Sequence, residues 1–481
     1  MLETKAGNLS ESAPHTLVAS ERDRQSEYLA QSIARHTEKT KISKQIAQKY
    51  RPVLADKRTL VDFLLPFKEI YYPIVTKRSF GAKIWDVDGN EYIDLIMGFG
   101  VNLFGHNPIW IRQVLQEQLE TGIELGLQPE LVGEVAQMIC DLTGMERVTF
   151  TNTGTEAVMT AIRLARAVTN RQKIAIFTDS YHGHFDGILG QLEKSDRSWK
   201  TIPTTIGISP NYVADLVILD YGNFESLEIV KKYKHELAAV LVEPVQSRRI
   251  DLQPKEFLQQ LRQLTKELDI ALIFDELVTG FRIHPGGAQA WFGVEADIAT
   301  YGKILGGGMP IAVIAGKAAY MDKIDGGVWN YGDDSFPSSE KIFFAGTFCK
   351  HPLAIAAAHT ILQHFKERGS TVQEELNQRT TQFVQTLNTY FESQELPIQL
   401  ANFGSIFGPA SVSIAEDEKF LEEESAINGF DLLYYHLLNR GIMLRGDRGF
   451  LSTAHTDEDL DRIISAVQDS INELIEGGFF S

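Results

Sequence analysis

Three short stretches hold residues whose types and spacing could do chemistry. The first, 299-ATYGKILGGGMP-310, sets Lys303 just ahead of Gly306, Gly307 and Gly308, at the end of a run that otherwise reads as buried. Three readings of this amine compete: an ordinary surface lysine, a phosphate-cradling lysine, or an amine that bonds covalently to a cofactor. A nucleotide loop places its lysine after the glycines and before a helix, so the cradle pattern fails here. Surface lysines rarely follow a buried strand.

The second stretch, 271-ALIFDELVTGFR-282, reads as a buried strand ending in Asp275 and Glu276. Ligands of open α/β sheets bind beyond the carboxyl ends of the strands, which points both acids toward a site. Such a carboxylate could bind a metal, act as a base or pair with a cationic ring. No His or further Asp stands nearby at ligand-like spacing, so metal is the weaker reading. The third stretch, 150-FTNTGTEAVMTAIRLARA-167, runs from a strand through Thr153-Gly154-Thr155 into an amphipathic helix. Free amides at a helix N-terminus favour an anion such as phosphate, although a plain N-cap explains the same residues. An anion turn, a strand-end acid and a later strand-end amine together describe a pyridoxal phosphate pocket, since that cofactor needs all three.

The elements that must position these residues are legible as alternating strand and helix patterns. Between about 145 and 316 the runs RVTFTN, KIAIFT, LVILD, AAVLVEP, ALIFDE, DIATYGK and IAVIAG read as strands buried on both faces. Phe257, Leu258, Leu261, Leu264 and Leu268 recur at helical spacing as one apolar stripe on a crossover helix. Such units predict a mostly parallel sheet covered by helices. Earlier, 83-KIWDVDGNEYIDLIMGFG-100 reads as a hairpin about an Asp-Gly turn. Near the end, SIFGPASVSI reads as a strand, and Thr456 can cap a last helix that begins with Asp457, Glu458 and Asp459. The expected division is a basic helical arm over 1–65, a lead-in and first part of a small domain over 66–130, a large domain over 131–350, and the rest of the small domain over 351–481.

Composition narrows the function classes. The formal net charge of -18 argues against general nucleic-acid binding, which requires a basic face. Residues 1–60 hold eleven Lys/Arg against seven Asp/Glu, a local balance of +4, so the remainder stands at -22. No run approaches the roughly 18–20 apolar residues of a membrane span, and the N-terminus lacks a signal-peptide pattern. A cytoplasmic protein is therefore expected. Cys140 and Cys349 are the only cysteines, without CxxC spacing, so neither a disulfide framework nor a zinc site is indicated.

With TNTGTEA, YHGHFDG, EPV, DELVTGFR, GKILGGGMP and AGTF in this order, the sequence resembles the class III aminotransferases, fold-type I pyridoxal phosphate enzymes, from about residue 65 to the end. The resemblance implies an α/β protein: a large domain with a mainly parallel sheet, a smaller α+β domain built from both termini, and a homodimer. By the same resemblance Gly154 and Thr155 hold the cofactor phosphate, Tyr181 stacks on its ring, and the adjacent His182 joins the cofactor set. Asp275 is the ring-nitrogen partner, and Lys303 is the lysine that bonds to the cofactor and shuttles a proton. Thr347 matches a threonine that reaches the phosphate of the neighbouring subunit. Glu243, Arg445 and Arg448 are substrate candidates, with Arg282 a further possible carboxylate partner.

Val278 stands where many members carry a glutamine that contacts the ring's phenolic oxygen, which brings the chain nearer to the glutamate semialdehyde aminomutase branch. The stretches 48-QKYRPVLADKR-58, 68-KEIYYPIV-75, 95-LIMGFGVNLFGHNP-108 and 341-KIFFAGTFCKHPL-353 also resemble aminotransferase domains of hybrid polyketide–nonribosomal peptide synthases. That likeness implies amination of a β-ketoacyl thioester on an acyl carrier protein, with an amino-acid donor and the basic arm as a docking element or simply as packing. The alternative it leaves is a glutamate semialdehyde-type aminomutase or a small-molecule ω-aminotransferase.

Overall fold

A computed structural model describes residues 19–56, 63–195, 198–410, 429–444, 446 and 448–479. Seven strands form the main sheet: β1 Arg147–Thr151, β2 Lys173–Phe177, β3 Leu216–Leu219, β4 Leu237–Val242, β5 Ala271–Asp275, β6 Ile298–Tyr301 and β7 Ala312–Gly316. They lie in the order β1-β7-β6-β5-β4-β2-β3. Every pairing is parallel except the two made by β7, which runs antiparallel to β6 and β1. Each strand corresponds to one of the seven apolar runs, and β4 to β7 are buried throughout.

Alternation along the strands divides the core. Ala271 and Ile273 face one apolar cluster with the helix Gly154–Thr169, while Leu272 and Phe274 face another with Phe257, Leu258 and Leu261 of the helix Lys255–Glu267. Full burial of such a Leu or Phe contributes about 1.5–3 kcal/mol, so both helices are fixed to the sheet by their apolar stripes. Consequently Asp275 continues the first face and Glu276 turns to the second.

The expected hairpin forms between Lys83–Asp86 and Glu91–Asp94. Its second strand pairs in parallel with Ile442–Met443, so segments near the two ends of the chain share one four-stranded sheet. A strand occupies Ile406–Pro409 of the SIFGPASVSI run, and residues 411–414 lie outside the described ones. The two-stranded pair Gly190–Ser195 and Ser198–Pro203 has no counterpart in the sequence reading. Thr456 caps the last helix, Asp457–Glu476, through a reciprocal pair of bonds with Asp459.

The described part of the arm, residues 19–56, forms the helices Ala19–Lys39 and Lys41–Tyr50 and is seated on the chain's own C-terminal helices. The Tyr28 hydroxyl lies 3.2 Å from His436 Nε2, the Gln25 amide donates to the Gly478 carbonyl at 2.6 Å, and Lys39 donates to the Asn439 carbonyl at 2.6 Å. Asp88 of the hairpin turn accepts the Ser43 N–H and hydroxyl at 3.0 and 2.7 Å, anchoring the start of the second helix. Arm cations are thereby engaged inside the chain: besides Lys39, Lys44 pairs with Glu69 at 2.9 Å and Arg35 with Glu473 at 3.6 Å.

Candidate active site

The carboxyl ends of β1, β2, β4, β5 and β6 lead into the segments that carry Thr153–Thr155, Tyr181–His182, Glu243, Asp275 and Lys303. At the β1 end, Thr153 caps the helix by accepting from the Glu156 N–H at 3.2 Å, and Glu156 accepts from the N–H groups of Asn152 and Thr153 at 2.8 and 3.1 Å. This capping box satisfies Asn152, Thr153 and Glu156. The N–H groups of Gly154 and Thr155 have no partner among the described residues, so two donors remain at the positive end of a 16-residue helix. Close packing sets the cradle. A Cβ on Gly154 would lie 2.3 Å from Leu277 Cδ1, and one on Gly183 would lie 2.5 Å from Thr155 Oγ1.

Asp275 is buried and held on three sides. Its Oδ2 accepts from His182 Nδ1 at 2.8 Å, while Oδ1 accepts from the Leu277 N–H at 3.2 Å and the Thr300 hydroxyl at 3.4 Å. With Nδ1 so engaged, the buried His182 Nε2 has no partner. Glu243 is buried one residue past β4, where its carboxylate accepts from the N–H groups of Tyr181 at 2.8 Å and Ser247 at 3.3 Å. Burial pushes the Glu243 carboxyl up, with Asp275 adding to the effect and His182 opposing it. The same acid therefore fixes the backbone of Tyr181, a residue that is 50% exposed.

Lys303 takes φ 46°, in the left-handed region that non-glycine residues rarely occupy. Its amine has no hydrogen-bond partner among the described residues. Burial lowers its pKa below the usual lysine value, the Arg282 guanidinium acts in the same direction, and Asp275 and Glu243 oppose. Such an amine is more readily neutral, and hence nucleophilic, than a surface lysine.

One expectation changes at the strand end. Glu276 does not face the site: its carboxylate accepts from Ala288 N–H at 2.6 Å, Gln289 N–H at 3.0 Å and the Thr279 hydroxyl at 3.0 Å, capping the helix Gly287–Phe292. Burial raises its pKa to about 7. Arg282 is buried, and each of its three nitrogens donates to a protein acceptor. Arg448 donates to the Ser247 carbonyl at 2.8 Å, which joins it to the Glu243 segment. Arg445 lies outside the described residues. Thr347 and its neighbours in 345-AGT-347 are exposed.

The sequence reading missed the backbone beside the site. Met97, Gly98, Phe99 and Gly100 take φ of 47°, 63°, 57° and 87°, a left-handed turn in which the two non-glycine residues cost roughly 1–2 kcal/mol each. Asp94 holds its entry by accepting from the N–H groups of Ile96 and Met97 at 2.8 and 3.1 Å. The available signal was the pair of glycines in 97-MGFG-100.

Comparison with known proteins agrees with this geometry. A strand-end acid, a covalent-bonding amine and a helix-end anion turn on this sheet are the parts of a fold-type I pyridoxal phosphate transferase. The class-III aminotransferase pattern matches residues 67–446, and the chain belongs to that family. Glutamate-1-semialdehyde 2,1-aminomutase of Chloroflexus aggregans is 34% identical over 84% of this chain and 91% of its own length. The enzyme of the same name from Archaeoglobus fulgidus is 34% identical over 83% and 93%. Among solved structures, an omega-transaminase from Sphaerobacter thermophilus superimposes with a TM-score of 0.78 at 26% identity, covering 89% of this chain and 97% of that one. A transaminase with pyridoxal phosphate bound reaches 0.77 at 27%, covering 91% and 99%. The cofactor is pyridoxal phosphate, and the protein is an enzyme of amino-group transfer.

These relatives overturn the expected carrier-bound β-ketoacyl substrate. Their name specifies a small semialdehyde, and they match over nearly their full length. The basic arm, offered as a docking element, is packed on the C-terminal helices with several of its cations already paired. Among the described residues no helix is long and apolar enough to cross a membrane.

Proposed function

We propose that the protein moves an amino group within a small amino-aldehyde or amino-ketone, in the manner of a glutamate-1-semialdehyde aminomutase. The observation that carries the amine chemistry is the convergence of Asp275, Lys303 and the open Gly154–Thr155 donors at one sheet edge. The small-molecule substrate rests on the aminomutase relatives and on Val278, which offers no hydrogen bond to a phenolic oxygen.

The residues present fit the cofactor. Gly154 and Thr155 N–H groups would hold its phosphate, Tyr181 would cover its ring, and Asp275, fixed by His182, would pair with its protonated ring nitrogen. When bound, pyridoxal phosphate supplies an aldehyde for an amine and a ring that accepts the electron pair left at a substrate carbon. Lys303 Nζ would form the covalent attachment and, with its amine freed, would carry a proton between the substrate carbon and the cofactor. Its depressed pKa favours the neutral amine needed for this. Glu243 holds the Tyr181 backbone in place, and Arg448 reaches the same segment through Ser247. We further propose a homodimer in which the exposed Thr347 serves the partner's phosphate site.

The test is donor dependence. Purified enzyme loaded with the amino form of the cofactor should convert glutamate-1-semialdehyde into the isomer with its amine at C1 and a ketone at C2, with no external donor. A strict requirement for an amino-acid donor, with release of its keto acid, would favour the second reading, an intermolecular ω-aminotransferase, which the structural likeness to the Sphaerobacter enzyme supports.

A further inference from the structure

Arg282 is among the largest fully buried side chains, 1% exposed, yet no carboxylate pairs with it among the described residues. Its Nε donates to the Val278 carbonyl at 3.0 Å and its Nη1 to the Ser405 hydroxyl at 2.8 Å, while Nη2 donates to the Gly100 carbonyl. The guanidinium also lies 5.1 Å from the centre of the Phe450 ring. Four distant parts of the chain therefore meet on one cation. They are the turn after β5, the left-handed turn at Met97–Gly100, the loop before the Ile406 strand and the strand at Phe450.

A buried cation whose acceptors are all neutral is costly, and an ordinary structural tie needs no charge. Three further features show how specifically the place is built. Phe281, the residue before it, takes φ 60° and so turns Arg282 inward. A Cβ on Gly100 would lie 2.7 Å from Arg282 Nη2 and 2.7 Å from Phe450 Cε1. Met97, Phe99, Phe281 and Lys303, all non-glycine residues with positive φ, belong to segments that adjoin this cation or the amine. Strained backbone persists where the surroundings over-determine it, commonly at functional sites.

We propose that Arg282 is a positioning residue: a buried clamp that seats the left-handed turn Met97–Gly100 against the Lys303 edge of the sheet and supplies that edge with a fixed positive charge. This role differs from the substrate-carboxylate contact expected from sequence, because the side chain is 1% exposed and each of its three nitrogens already donates to a protein oxygen. It rests on Lys303 being the cofactor-bonding amine only for the charge half of the claim.

Three variants of the holoenzyme separate the two halves. Arg282→Met removes fork and charge, Arg282→Lys keeps charge without the fork, and Ser405→Ala removes one acceptor. Hydrogen exchange at residues 97–101 should accelerate tenfold or more in both Arg282 variants and a few-fold in Ser405→Ala. The pH midpoint of the cofactor absorbance band should rise by about 1 unit in Arg282→Met, since losing a nearby cation favours protonation, and stay near wild type in Arg282→Lys. Wild-type exchange in both Arg282 variants, or an unmoved midpoint in Arg282→Met, overturns the proposal. If Arg282→Met does not fold, unchanged exchange in both Arg282→Lys and Ser405→Ala overturns it equally. A borohydride-reducible cofactor linkage that survives Lys303→Ala would instead count against the lysine assignment, and the exchange measurement would still decide the clamp.

Discussion

The sheet edge and the seam between the N-terminal arm and the C-terminal helices both bury titratable groups, but they treat them in opposite ways. At the seam the groups face one another: His36 lies 3.3 Å from Asn439 Oδ1, and Arg440 pairs with Glu473 at 2.6 Å beside the Tyr28 hydroxyl. Burial holds His36 and His436 down to about 4, so both are neutral at pH 7. At the sheet edge His182 Nε2, the Lys303 amine and the Gly154 and Thr155 N–H groups are left open, and the backbone is left-handed at Lys303. Satisfied polar groups hold structure, whereas open ones kept beside strained backbone are available to a ligand.

If that contrast is right, the largest effect comes from the edge. Lys303→Ala should lower turnover by roughly a thousandfold or more while leaving the thermal midpoint near wild type; a steady-state assay paired with a melting curve checks both. Asp275→Asn keeps the shape but removes the charge facing the ring nitrogen, so turnover should fall by about 10²–10⁴ with the cofactor still retained, as read by absorbance after gel filtration. His182→Ala, which loosens Asp275 without removing it, should cost about tenfold. Equal losses in the two variants would contradict the hierarchy.

The seam should respond in the reverse sense. His36 and His436 are neutral in the folded state and titrate near 6.5 once unfolded, so the unfolded chain binds more protons between about pH 4 and 6.5. Stability from these sites is full above 6.5 and declines as pH falls through that window. Chemical denaturation at pH 7.5 and 5.5 should therefore show a loss of order 1 kcal/mol or more, removed in part by His436→Gln. The smallest effect belongs to Lys44→Ala at the arm surface, where loss of the Glu69 pair should change stability by less than about 1 kcal/mol and leave turnover unchanged.

Much of this division was legible beforehand. Seven apolar runs became seven strands because a doubly covered sheet leaves a plain apolar signature, and Asp275 and Lys303 are recognisable because they follow such runs. Adjacent Asp275 and Glu276 looked alike at the strand end, and only their opposite facing separates a site acid from a helix cap. Arg282 read as a candidate carboxylate partner because sequence shows its charge but not its acceptors, two of which come from distant segments. The turn at Met97–Gly100 was hidden inside a hairpin pattern, since its conformation depends on Asp94 and on the Arg282 contact. Helical character was evident in the arm, but its seat depends on partners some 400 residues away in the chain.

The central claim is that the open amine at this edge is the one that bonds to the cofactor. Borohydride reduction of the pyridoxal phosphate-loaded protein, followed by peptide mass spectrometry, tests it most directly. The account predicts a single pyridoxyl-modified peptide carrying the label on Lys303. A label on any other lysine, with Lys303 unmodified, would contradict it.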